Sequence, residues 1–120
     1  MKVLICDDSM TVRKKLAATV VELTGCEVVE AKDGVSAVSK YESERPDIVF
    51  MDIMMPIKNG LEATEEIIRL DENATIIMLS SVGTKANLQQ ALKSGAKDFI
   101  QKPFELEKLK IIFKNYGGEA

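Results

Sequence analysis

The chain has no histidine. That absence excludes Ser/His and Cys/His nucleophilic pairs, histidine-ligated zinc, and any phosphohistidine carried within the chain itself. Cysteine is nearly absent too: Cys6 ends one apolar run and Cys26 begins another, so two reduced, buried thiols of a cytoplasmic protein are expected rather than a disulfide. No apolar stretch approaches the ~18 residues of a membrane span. The amino end, MKVLICDD, turns acidic too soon for a secretory signal. Positive charge is also short, since 16 Lys and Arg stand against 19 Asp and Glu, and no basic stripe suited to nucleic acid is present. These exclusions leave a cytoplasmic protein that binds neither nucleic acid nor membrane.

The 120 residues, 46% of them hydrophobic, suffice for one domain that buries roughly two-thirds of its unfolded surface. Five short apolar runs punctuate it: VLIC (3–6), CEVVEA (26–31), DIVFM (47–51), TIIML (75–79) and DFI (98–100). Several barely alternate, which suits strands covered on both faces. Between them lie helical spacings, with Val12, Leu16, Val20 and Leu23 on one face and Leu106, Leu109, Phe113 and Tyr116 on another. Cap and turn residues mark the joints: Ser9, Asp33-Gly34, Asn59-Gly60 and Gly95. The pattern is strand–helix repeated five times, which predicts an α/β fold with a parallel sheet between two helical layers.

In such open sheets, ligands bind beyond the carboxyl ends of the strands. Four of the five runs are followed there by residues capable of chemistry: Asp7-Asp8, Asp52, Ser80-Ser81 and Lys102-Pro103. Two adjacent acids alone would be ordinary strand-end residues. Three acids, a hydroxyl and a lysine converging on one edge form a specific constellation. Carboxylates ~4 Å apart repel by about 4 kcal/mol at an effective dielectric of 20, so something must neutralise them. An all-oxygen donor set favours a hard cation, Mg²⁺ ahead of Ca²⁺ because no EF-hand loop is present. A divalent cation and a lysine around a carboxylate suit a phosphoryl group in transfer, with the carboxylate as acceptor. The charges on the third predicted helix, Glu62, Glu65, Glu66 and Arg69, are expected to form a solvated face.

ICDD, IVFMDIMMPIKNG, IIMLSS and AKDFIQKPF, in this order and spacing, resemble the signature of response-regulator receiver domains, and above all the single-domain chemotaxis regulators among them. The resemblance spans nearly the whole chain. It implies a flavodoxin-like (βα)5 fold with strand order 2-1-3-4-5 and one receiver domain over residues 1–120 with no output domain. It also implies that Asp52 is the phosphoacceptor, and that Asp7, Asp8, Asp52 and the backbone carbonyl of Met54 hold Mg²⁺. Ser80 becomes the switch hydroxyl, Lys102 the cation paired with the acceptor or its phosphoryl group, Phe99 the mobile aromatic, and Lys102-Pro103 a cis peptide.

Partners implied are a histidine kinase as donor and a downstream protein such as a flagellar switch component, or else a phosphotransfer protein if the domain is a phosphorelay shuttle of the sporulation type. The domain is expected to be a monomer and to catalyse only its own phosphorylation and dephosphorylation. Met54 and Val82 are apolar where the best-known chemotaxis member is polar, so slow loss of the phosphoryl group is expected. The methionines near Asp52 are read as packing residues. An aspartyl-phosphate hydrolase of the haloacid dehalogenase type would carry a DxD pattern after the first strand and a cap, and neither occurs. A flavin-binding relative would need a hydroxyl- and glycine-rich phosphate loop where this chain has DDSM.

Overall fold

The computed structural model describes residues 1–81 and 83–117. Strands and helices alternate along them: β1 (Lys2–Cys6), α1 (Met10–Thr24), β2 (Glu27–Ala31), α2 (Gly34–Glu44), β3 (Ile48–Asp52), α3 (Gly60–Leu70), β4 (Ile76–Ser80), α4 (Lys85–Ser94), β5 (Asp98–Gln101) and α5 (Leu106–Tyr116). All neighbouring strands are parallel, in the order β2-β1-β3-β4-β5. This is the flavodoxin-like arrangement.

Burial follows from position in the sheet. β3 and β4 are buried at every residue, and β1 at all but its first, because helices cover both of their faces. The outer strands β2 and β5 are only partly covered. Successive side chains of a strand point to opposite faces, which splits the apolar residues into two cores. Leu4, Val49, Met51, Ile76 and Met78 pack with Ala37, Ala63, Ile67 and Ala91 of α2, α3 and α4. Val3, Ile5, Ile48, Phe50, Ile77 and Leu79 pack with Leu16, Val20, Leu109 and Ile112 of α1 and α5. Each large side chain so buried contributes about 1.5–3 kcal/mol of transfer free energy.

Helix starts are chemically marked. Ser9 Oγ accepts from the Val12 amide, and Thr84 Oγ1 from the Asn87 amide. Asp33 with Ser36, and Asn59 with Glu62, form reciprocal capping boxes. The third helix is therefore not a purely solvated face: Glu62 closes its cap, and Glu66 pairs with Lys58. α1 and α4 end at Gly25 and Gly95 in the left-handed conformation.

Two expectations need correction. Leu106 is exposed rather than turned to the core, because a side chain at the first position of a helix tilts back past its end; the buried face of α5 begins at Leu109. Cys6 is buried but Cys26 is only half-buried, and both are free thiols. Cys26 lies in the turn before β2, where its amide donates to Thr24 Oγ1. Burial, assisted by the adjacent Asp7 charge, pushes the Cys6 thiol far above its ordinary range, so it is inert packing. Among the described residues, no helix is long and apolar enough to cross a membrane.

Candidate functional site

Register brings the strand-end residues together. Cys6 lies opposite Met51, so Asp7 and Asp52 follow side by side. Asp52 lies opposite Leu79, which puts Ser80 one step beyond it, and Ser80 in turn lies opposite Gln101, one residue before Lys102. Asp7, Asp8 and Asp52 each offer a carboxylate oxygen, and these atoms lie within 4.8 Å of one another. Asp7 and Asp52 are buried at 1% and 5% exposure, whereas Asp8 is open to solvent.

Lys102 Nζ reaches into this group, 2.6 Å from Asp7 Oδ2 and 3.2 Å from Asp52 Oδ1. It thus lies closer to Asp7 than to Asp52. The other Asp7 oxygen accepts from the Ser9 amide at 2.9 Å. The Lys102 amide donates to the Ser80 carbonyl at 2.8 Å, continuing the ladder past the end of β5, and the Lys102–Pro103 peptide is cis.

Burial, and after it the Asp7 charge, raise the Asp52 carboxyl while Lys102 opposes both, and the net result is a pKa of about 6. Burial disfavours the Lys102 ammonium, but its contacts with Asp7 and Asp52 prevail and hold its pKa above the ordinary value. Three carboxylates against one ammonium leave two negative charges uncompensated when all are ionised. The donor set is entirely oxygen and partly open at Asp8, which fits a hard divalent cation that keeps several waters.

Around this group the other sequence-predicted residues take distinct positions. Ser80 is buried at the end of β4. Met54 lies in the loop after β3 and is 75% exposed, while Met51 and Met55 are buried; packing therefore accounts for two of these methionines but not the third. That loop is tied down at both ends: the Ile53 amide donates to Leu79 O, and the Gly60 amide to Ile53 O. Gly60 lies so close to the strand that a Cβ would fall 2.0 Å from the Asp52 carbonyl oxygen. Phe99 is outside the acid group, partly buried in β5, where it lines a cleft with Thr84, Leu88 and Lys108. Val82 lies outside the described residues.

Sequence reasoning missed Arg13. Its Nη1 donates to the Asp7 carbonyl at 2.8 Å, and its Nε pairs with Glu30 at 3.0 Å. It thereby ties the first turn of α1 to the start of the acid pair and to β2. The only sequence signal was its place four residues after the cap Ser9.

A buried carboxylate flanked by two others and a lysine thus stands at the carboxyl edge of a flavodoxin-like sheet, where ligands of such folds bind. The family model for the response regulator receiver domain matches residues 3–114. The chain is 48% identical over 105 residues to the chemotaxis protein CheY of Thermotoga maritima, covering 87% of each chain. It superposes with a TM-score of 0.90 on a chain of the CheX–CheY–BeF3–Mg²⁺ complex of Borrelia burgdorferi, at 35% identity over 97% of this chain and 89% of that one. A TM-score of 0.89 relates it to the receiver domain of a sensor histidine kinase of Pseudomonas aeruginosa with a magnesium ion coordinated in its active site cleft, at 28% identity and 98% coverage of both. The chain belongs to the response regulator receiver family. It is a phosphorylation-activated switch of two-component signalling rather than a conventional enzyme.

Proposed function

We propose that this chain is a cytoplasmic, monomeric chemotaxis regulator, one receiver domain in which Asp52 takes a phosphoryl group from the phosphohistidine of a partner histidine kinase. The donor histidine must come from the partner, since this chain has none. An Asp52 oxygen forms the new P–O bond while the P–N bond of the donor breaks. The electron pair of that bond stays on the imidazole nitrogen, which leaves neutral after taking a proton. Asp7, Asp8 and Asp52, with the backbone carbonyl of Met54, would hold Mg²⁺; when bound, it supplies positive charge for the carboxylates and for the phosphoryl oxygens.

The remaining roles belong to protein side chains. Lys102 brings the second positive charge, and its contact with Asp7 keeps it aimed at the acceptor. Ser80 donates to a phosphoryl oxygen once the group is in place. Each charge-assisted hydrogen bond contributes roughly 1.5–3 kcal/mol, while moving a population from 1:99 to 99:1 takes about 5.5 kcal/mol. The two contacts, from Ser80 and Lys102, together supply about 3–6 kcal/mol, which meets that threshold near its upper end, and one alone does not. Drawing Ser80 inward opens space for the Phe99 ring and alters the face formed by α4, β5 and α5, where a downstream protein such as a flagellar switch component docks. Loss of the phosphoryl group is also catalysed by the domain itself, slowly, because the apolar Met54 side chain offers no hydrogen bond to orient water.

The observation that carries this reading is the charge deficit around Asp52, whose carboxyl is pushed up to about 6 by burial and by Asp7. Incubation with acetyl phosphate and Mg²⁺ tests it: intact mass should rise by one phosphoryl group in the parent and not in Asp52→Asn. Steady turnover of diverse phosphate esters by the purified chain would instead identify a hydrolase.

A further inference from the structure

Gly34, in the first turn of α2, is far in sequence from the acid group but touches the loop that follows Asp52. A Cβ at Gly34 would lie 2.0 Å from the Lys58 carbonyl oxygen, and 2.6 Å from both the carbonyl carbon and the Cβ of Lys58. Real Cβ contacts are not found below 3.0 Å, so any side chain would force the two backbones apart by about 1 Å. Its φ is not in the left-handed region. Space, and not conformational freedom, is what position 34 requires. α2 cannot easily yield, because its first turn is locked by the Asp33–Ser36 capping box, with Asp33 Oδ1 accepting from the Ser36 amide at 2.7 Å.

The loop on the other side of this contact is held in a conformation it would not choose. The Lys58 amide donates to the Pro56 carbonyl at 2.8 Å, closing a three-residue γ-turn around Ile57, whose φ is 71°. A β-branched residue at positive φ is an outlier that persists only where its surroundings enforce it. Ile57 has no burial to recompense it, being 82% exposed. The enforcing contacts are therefore on its neighbours: Lys58 O against Gly34, the Lys58 ammonium on Glu66, and Gly60 against the Asp52 carbonyl.

We infer that Gly34 is a positioning residue for the divalent cation: by seating Lys58, it holds the loop, and with it the Met54 carbonyl, where Mg²⁺ can bind. The inference rests on the functional reading above, which makes Met54 a ligand. Mg²⁺ demands near-ideal geometry at 2.0–2.1 Å, so a 1 Å retreat of this loop takes the carbonyl out of range. Losses from disturbing the supports of metal ligands are typically 10- to 100-fold in affinity.

Mg²⁺ titration followed by amide NMR tests the inference on three proteins. Gly34→Ala should raise the Mg²⁺ dissociation constant about tenfold and move the amides of residues 53–60 before any metal is added. Gly25→Ala, at a left-handed helix end with nothing within 4 Å, should lower stability and leave the constant within about twofold of the parent. In the parent, the α-protons of Gly34 should shift with the same midpoint as the Asp7, Asp8 and Asp52 amides, a readout that stands even where Gly34→Ala does not fold. An unchanged constant in Gly34→Ala, or unmoved Gly34 α-protons in the parent, overturns the inference alone. A parent without Mg²⁺-dependent shifts at the three aspartates overturns the functional reading as well.

Discussion

Replacing Asp52 by asparagine should abolish phosphorylation and, at the same time, make the metal-free protein more stable. The reason lies in the cost of ionising a buried carboxylate beside Asp7. Its pKa rises from 3.8 to about 6 on folding. Because the folded value is the higher one, the stabilising effect of the protonated form is fully present below pH 3.8 and is lost as pH rises through about 6. At pH 7.5 the parent carries the whole penalty. Roughly two pH units correspond to about 3 kcal/mol at most, and to about 1–2 kcal/mol after solvent screening at the mouth of the site. With a urea m-value of about 2 kcal/mol/M, the asparagine variant should unfold about 0.5–1 M later than the parent in EDTA at pH 7.5. The gap should close towards pH 4. Mg²⁺ at about a hundred times its dissociation constant for the parent should reverse the order, because it stabilises the parent by about 2.7 kcal/mol and binds the variant, which lacks one of the three carboxylates, more weakly. An asparagine variant no more stable than the parent at pH 7.5, or a gap that does not change with pH, would refute the electrostatic reasoning.

Ser80→Ala should leave phosphorylation by acetyl phosphate within about threefold of the parent while removing most of the phosphorylation-dependent gain in affinity for the downstream partner, measured by titration calorimetry; a full gain would remove Ser80 from the switch. Met54→Asn should hasten loss of the phosphoryl group, read as the decay of phosphorylated protein on Phos-tag gels, because an amide there can orient the attacking water; equal decay rates would show that the side chain at 54 is irrelevant to the step. Ile77→Ala, at a fully buried position of β4, should cost about 2–5 kcal/mol in urea unfolding. Tyr41, buried and hydrogen-bonded to Asp71, has its phenol pushed up to about 12. Its stabilising effect should therefore be lost as pH rises from 10 to about 12, and Tyr41→Phe should flatten that alkaline loss.

The layers of the fold and the meeting of Asp7, Asp8, Asp52 and Lys102 were legible in the sequence because both rest on strong local rules. Apolar runs without alternation mark strands covered on two faces, and parallel strands share one carboxyl edge. What was not legible depends on distances between elements. Arg13 reads as an ordinary helix residue until α1 is docked, when its guanidinium meets the Asp7 carbonyl and Glu30. Glu66 joins Lys58 only because the loop after β3 folds back along α3. Ile57 at positive φ contradicts its own propensity, so no sequence rule would place it there. Lys102 does stand beside Asp52, at 3.2 Å, and what no sequence rule supplies is its still shorter contact with Asp7, the more deeply buried acid and the one whose carboxylate it must accompany out of water.

The central claim is that a phosphohistidine donor loses its phosphoryl group to Asp52 and to no other residue. Borohydride reduction after phosphotransfer converts an aspartyl phosphate to homoserine, so peptide mass spectrometry reports the acceptor directly. Homoserine at position 52, requiring Mg²⁺ during the transfer, is the predicted result. Homoserine at position 7 or 8, or transfer that proceeds undiminished in EDTA, would contradict the account.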